Sequence, residues 1–453
     1  MARAVPPGLL HSCHSWDTPG AIRGVRLSKS FRSFLSSSAL SLLGTVLGAL
    51  LSVLYISQGV RRLGPEGYGA VGAAVSLANL FFLALNPLEA GLTLRVARFV
   101  GAGELAGLAH FARSAARGLS SAGVLLFIGW AGLVSLVGPS LKVGSQGTLL
   151  WLGAFCCAAF VACAPRATMR GREAFGALAV NIVLEGVVRT LLGLGLLWAG
   201  GGPTAMVAGY ALGMGLSIAH GQVAGLRGLP TPATNQGAAS LRHDLLLPLR
   251  VMSAPLVGLN VYAAAVANLD TLAAARFLTG REAGLYAGSA SLARMVPIAV
   301  NPLLLVLFSR LATAHAAREQ TGATLRIGGA VIVVGLGASL VVPMLGGELV
   351  LEGFLGEGFR AGQPVLVYQW ATMCLLALQV LAAEAMLATS RLRAGWMFAL
   401  PTLALVPALW LGRDSALHIA QAAFSVCAGM GSLTCLGMWW LRSKAVDGGI
   451  LLR

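Results

Sequence analysis

Twelve apolar runs, each about the length of a membrane-spanning helix, decide what this chain can fold into. An α-helix rises 1.5 Å per residue, so roughly 20 apolar residues cross the hydrocarbon core of a bilayer. Runs of that kind fall near 37–59, 69–92, 118–138, 148–165, 175–199 and 203–225. After a polar stretch at 226–250, six more follow near 252–275, 284–309, 327–345, 364–388, 396–412 and 415–441. Only 11% of the 453 residues are charged, against about 25% in soluble domains. The pattern predicts an all-α, polytopic membrane protein with no room for a separate soluble catalytic domain.

The formal net charge is +16, yet 29 of the 32 basic residues are arginines spread along the chain with no run of five or six. Such scatter predicts no nucleic-acid partner; it carries topology information. With the N-terminus cytoplasmic, the inner segments hold 23 Lys and Arg residues and the outer loops 7. That asymmetry predicts both termini on the cytoplasmic side of the inner membrane. The expected units are a basic N-terminal segment (1–36), a six-helix bundle (37–225), a linker (226–250), a second six-helix bundle (251–441) and a tail (442–453). Residues 1–36 lack the apolar core of a cleavable signal peptide. None of the seven cysteines forms a Cys-x-x-Cys pair, so neither a metal site nor a disulfide framework is expected.

An internal repeat runs through the chain. At a shift of 215 residues, 61–95 and 276–310 share 11 identities in 35 positions, including Gly69/Gly284, Ser76/Ser291 and Asn-Pro-Leu at 86–88 and 301–303. Ala167–Arg172 and Ala388–Arg393 match at a shift of 221. Six helices per copy give both halves the same orientation, the parallel-repeat arrangement that serves alternating access in transporters.

Ionisable groups inside spanning helices cost at least about 2.5–3.5 kcal/mol at the bilayer centre, so each is expected to meet a partner or a watery cavity. Glu185 and Arg189 lie one helical turn apart, as a self-neutralising pair or as a cavity cation with a modulating carboxylate. Arg294 has no charged neighbour at i±3 or i±4; its planar fork suits phosphate or carboxylate, with pairing to Asp270 or to carbonyls as the structural alternative. Asp270 and Asn268 are candidates for gating or ion coupling. Pro87 and Pro302, preceded by Asn86 and Asn301, predict matching kinks in the two halves. Glu89 and Glu384 read as interfacial, and His220 and Gln222 as locally satisfied. No nucleotide-binding Gly-x-x-x-x-Gly-Lys-Ser/Thr motif, zinc-protease motif or serine-hydrolase motif occurs, so no catalytic residue and no cofactor is expected beyond a proton or sodium gradient.

The segments RRLGPEGYGAVGAAVSLANL (61–80) and NLDTLAAARFLTGREAGLYAGSASLAR (268–294) resemble the helix 1/2 and helix 7/8 junctions of the polysaccharide-exporter, or lipid-linked oligosaccharide flippase, branch of the multidrug/oligosaccharidyl-lipid/polysaccharide superfamily. Residues 349–371 and 169–196 resemble that branch's outer loop before helix 10 and its helix 4/5 region. One departure stands out, Thr279-Gly280-Arg281 in place of a Gly-Pro-Glu-like turn. The resemblance implies a MATE-like pair of bundles that moves an undecaprenyl-pyrophosphate-linked glycan between leaflets, in polysaccharide, O-antigen or lipopolysaccharide biosynthesis. It also implies a lipid-linked glycan and membrane lipid as partners, with a glycan polymerase and a chain-length regulator beside them. Arg189 and Arg294 would then supply the cavity cations, and Glu185 or Asp270 the coupling. A cation-coupled drug exporter of the same superfamily and a membrane-embedded polysaccharide polymerase or ligase are the alternatives.

Overall fold

The computed structural model describes residues 29–141, 145–230, 254–300, 321–388 and 399–447; Asn301 and Pro302, and most of the expected linker, lie outside them. The described residues form helices throughout and contain no strand. In chain order they are α1 (Lys29–Gly101), α2 (Leu105–Leu141), α3 (Gln146–Gly171), α4 (Phe175–Trp198), α5 (Gly202–Leu226), α6 (Ala254–Phe277), α7 (Gly280–Ala293), α8 (Thr321–Ser339), α9 (Val341–Leu355), a 3-10 turn (Glu357–Gly362), α10 (Gln363–Ala388), α11 (Ala399–Leu411) and α12 (Ala416–Asp447). Helices are the one open-chain structure that satisfies every backbone group inside lipid. Among the described residues, seven helices are long and apolar enough to cross a membrane, and the bent pair α8–α9 makes an eighth span.

α1 is 73 residues long, about 110 Å if it were straight, far more than a bilayer. It turns at Gly64, whose φ of 65° and ψ of 179° leave the helical region. A Cβ disfavours that conformation, and Pro65 then restarts the helix at the position where a missing N–H costs nothing. The second repeat copy solves the same corner differently. Thr279 is extended and caps α7, with Glu282 reaching back to complete a capping box. Thr279-Gly280-Arg281 therefore gives an orthodox helix start where the first copy uses Gly-Pro.

Three apolar clusters hold the molecule together. One fills the first half around Phe111, Leu119, Leu152 and Phe155; another fills the second half around Tyr262, Met373, Leu405 and Ile419. The third spans both halves at the end that carries Gly64: Tyr55, Tyr68, Val71 and Met206 meet Ala287, Leu351, Leu355 and Phe359.

Several expected boundaries move. The span expected at 327–345 is broken by a 46° bend between α8 and α9, and most of the expected outer loop at 346–363 is helix and 3-10 turn. α7 ends at Ala293, with Arg294 as its cap residue, and the chain resumes helical structure at 295–300. Pro87 sits within α1 without disturbing its helical dihedrals, and Asn86 is exposed. α1 leaves helical backbone geometry at Gly64, where left-handed backbone is needed.

Candidate functional site

Two polar clusters lie inside the helical bundle. The first belongs to the first half. Glu185 of α4 accepts from Arg189 one turn on, at 3.5 Å, and also makes a short ion pair with Arg166 of α3. Arg166 further donates to Asn181 Oδ1 at 3.3 Å and to Ser217 Oγ at 3.0 Å. Asn181, fully buried, binds Ser217 O at 2.7 Å and meets His220 Nδ1 at 3.2 Å. Arg189 donates to Ser52 Oγ of α1 at 2.5 Å. Its guanidinium lies 5.1 Å from the centroid of the Tyr210 ring and 5.8 Å from that of Tyr55, within cation–π range. Arg189 is 8% exposed, and its Nε, buried with the rest, has no acceptor. Room for this stem comes from α5, where any Cβ on Gly213 would sit 2.9 Å from Arg189 Cβ. Two arginines around one glutamate leave the cluster with an excess positive charge.

The second cluster crosses from one half to the other. Arg294 Nε donates to Ala267 O at 2.7 Å, and its Nη2 donates to Thr271 Oγ1 at 2.6 Å and to Ser76 Oγ of α1 at 3.0 Å. Thr271 passes its own hydroxyl proton to Asp270 Oδ1 at 3.2 Å, and Tyr286 donates to Asp270 Oδ2 at 3.0 Å. A threonine hydroxyl thus stands between the Arg294 cation and the Asp270 carboxylate. Asn79 of α1 donates to Asn268 Oδ1 at 3.1 Å, a second bond between the halves.

The comparisons with known proteins agree with this architecture. A family model described as polysaccharide biosynthesis protein matches residues 34–315. The chain belongs to the polysaccharide biosynthesis protein family. Among solved structures, an inward-facing multidrug-resistance MATE family transporter of the MOP superfamily superposes with a TM-score of 0.69 at 15% identity, covering 89% of this chain and 95% of the other. The lipid II flippase MurJ, in an inward closed conformation, gives 0.64 at 12% identity, covering 89% and 87%. An outward-facing structure of a multidrug-resistance MATE transporter gives 0.57 at 15% identity, covering 91% and 95%. These likenesses carry the fold: a MATE-like membrane protein, as the resemblance of the junction sequences implied. No curated protein sequence matches the chain significantly.

In this family member, Glu185 and Arg189 fall into the first cluster, and Asn268, Asp270 and Arg294 into the second. Glu185 and Arg189 meet as expected, but with Arg166 and His220 added. Arg166 lies just past the apolar run that ends near 165, and the helix continues to Gly171. His220, taken as locally satisfied, joins Asn181 across 39 residues of chain. Arg294, read as a cavity cation or as a partner of Asp270 or of carbonyls, donates to the neutral oxygens of Ala267, Thr271 and Ser76. Asp270 stays 2% exposed among hydroxyl and amide donors. Glu89 lies 2.9 Å from Arg170, an ion pair near the end of α3.

Proposed function

We propose that this protein flips a lipid-linked glycan of the undecaprenyl-pyrophosphate type across the cytoplasmic membrane by alternating access, with both termini cytoplasmic. The observation that carries this reading is the balance of buried charge. In the two polar clusters, three guanidinium groups, of Arg166, Arg189 and Arg294, stand against two carboxylates, of Glu185 and Asp270. A membrane interior tolerates uncompensated positive charge only at a cost. A polyanionic headgroup such as a pyrophosphate would offset that cost, and Arg forks match phosphate geometry. The family match to polysaccharide biosynthesis proteins supports a glycan over a drug as cargo.

Sugar hydroxyls and phosphates cannot shed water into hydrocarbon. Two bundles enclosing a polar path would carry the headgroup while the lipid tail stays in the bilayer. The Arg189 cluster and Arg294 are assigned the headgroup contacts, and a proton or sodium gradient the energy. Asp270 is the better coupling carboxylate, since neutral donors hold it, whereas Glu185 is occupied by two guanidinium groups. Partners in this reading are a glycan polymerase and a chain-length regulator.

Deleting the gene in its native host is expected to remove surface glycan and to accumulate its lipid-linked precursor. The wild-type gene should restore export, while Arg189→Ala and Arg294→Ala, inserted at normal levels, should not. Unchanged surface glycan in the deletion strain rules out the function, and full restoration by both variants rules out these two cations as the site.

A further inference from the structure

We propose that Arg294 is the latch of a closed seam between the two halves, and that opening the seam requires its guanidinium to leave Ser76. The inference rests on the halves working by alternating access, but not on the identity of what they move.

The seam is built from the two copies of one repeated segment. Gly69 of α1 lies against Gly284 of α7: a Cβ on Gly69 would sit 3.1 Å from Gly284 N, and one on Gly284 would sit 1.5 Å from Pro65 O. These are the two glycines matched by the 215-residue shift, so the contact lies near the pseudo-twofold axis. Gly72 packs on its own repeat partner, Ala287, in the same way. Pro65, Tyr68, Gly69, Gly72, Ser76 and Asn79 recur at three- and four-residue intervals and so share one face of α1. At the Gly64 end, Ser57 Oγ donates to Phe354 O at 2.5 Å, and Arg61 caps the last carbonyls of α9 at Gly353 and Phe354. A cation suits that negative helix end. Next along the face, Tyr68 OH meets Ser291 Oγ at 2.8 Å; Ser291 gives its own proton to Ala287 O, so Tyr68 is the donor. Arg294–Ser76 and Asn79–Asn268 stand at the far end of the series, about 18 and 22 Å from Gly64 at the helical rise.

Small residues let helices approach closely, but apolar contact gives little net drive inside lipid. Polar bonds across the seam therefore set how firmly it stays shut. Of these, the Arg294 bond is the charged one away from the rim, and charge-assisted bonds are the stronger kind. Its acceptor Ser76 is 0% exposed. Arg294 also keeps two acceptors on its own half, Ala267 O and Thr271 Oγ1. When the halves part, the cation stays solvated by these, so release costs one bond and strands no charge. The repeat is asymmetric here. The position equivalent to Arg294 is Asn79, which makes the neutral bond to Asn268. One half thus carries the latch and the other a weaker clasp.

The test places spin labels at Ala199→Cys, in the α4–α5 turn, and Asp414→Cys, in the α11–α12 turn, both exposed and on opposite halves at the Gly64 end. The background replaces native cysteines with alanine, and inter-spin distances are measured in lipid nanodiscs without ligand. The parent is expected to show mainly the short distance. Arg294→Ala should raise the ratio of long to short distances about tenfold, the effect of losing one charge-assisted bond, and Ser76→Ala should raise it in the same direction. Arg360→Ala, which removes an exposed ion pair to Glu352 on the same face, should leave the distribution unchanged. Parent-like distances in folded Ser76→Ala overturn the latch, whether or not Arg294→Ala folds. Loss of glycan export in Arg294→Ala with parent-like distances also overturns it and leaves the headgroup reading in place. Opened distances in a protein that exports no glycan support the latch and remove that reading.

Discussion

Glu185 shows how a single acidic residue can organise four helices. Arg166 reaches it from α3 and Arg189 from its own helix, while Ser52, Ser217 and His220 bring in α1 and α5 through the arginines and Asn181. Removing one member of a buried ion pair leaves the other uncompensated and costs 3–5 kcal/mol, while exposed pairs contribute about 0–1 kcal/mol. With side-chain exposures of 19% and 14%, Arg166→Ala should destabilise the protein by about 2–3 kcal/mol, between those limits. Adding Glu185→Ala should recover part of the loss. A double-mutant cycle on thermal unfolding in detergent checks both points, and additive effects would show that the pair is not coupled. The Glu185–Arg189 turn was legible, because four-residue spacing on a helix is local geometry. Arg166 and His220 were not, since the helix outruns its apolar stretch and the partners are 19 and 39 residues away in sequence.

At the scale of helices, the corner at Gly64 and the start of α7 are equivalent in the repeat but unlike in chemistry, left-handed glycine followed by proline against a threonine capping box. Both were written in the sequence, Gly-Pro-Glu in one and Thr-x-x-Glu in the other. What the sequence could not say is that the matched glycines of the two copies would touch, because a repeat fixes similarity and not contact. Their surroundings differ in tightness, and this predicts unequal tolerance. Gly284→Ala would place a methyl group 1.5 Å from Pro65 O, on backbone that cannot step aside, whereas Gly69→Ala meets its nearest atoms at 3.1–3.4 Å. Gly284→Ala should therefore force α1 and α7 apart and cost about 1–3 kcal/mol, the range for overpacking, while Gly69→Ala should cost a fraction of that. Thermal unfolding of the two variants side by side decides it; equal losses would mean that the seam relaxes as a whole. The bend between α8 and α9 escaped the sequence reading because the apolar run is continuous across it.

The whole molecule is apolar on its outer surface as well as in its cores, unlike a soluble fold, and this was the most legible property of all. Within α4, Arg189 is 8% exposed while Leu191, two residues on, is 68% exposed. Lipid, not water, surrounds that leucine, and the same holds for Leu125, Ile128 and Val334, which are 69%, 61% and 69% exposed. Two apolar cores, one per half, and a third shared at the Gly64 end make halves that are each self-sufficient and joined along one seam. The outer surface must then pay nothing for contact with acyl chains, and one charge there should be costlier than the loss of a charge inside. Leu125→Arg, near the middle of α2, places an unpartnered guanidinium against hydrocarbon and should cost about 2.5–3.5 kcal/mol of insertion free energy. Arg189→Leu, by contrast, removes a buried cation that hydrogen-bonds Ser52 and pairs with Glu185, so it should insert normally and lose stability only after insertion. Comparing membrane-integrated yield with detergent-extracted thermal stability separates the two. Leu125→Arg is expected to fail at the first measurement and Arg189→Leu at the second, and the opposite order would mean that α2 does not face lipid.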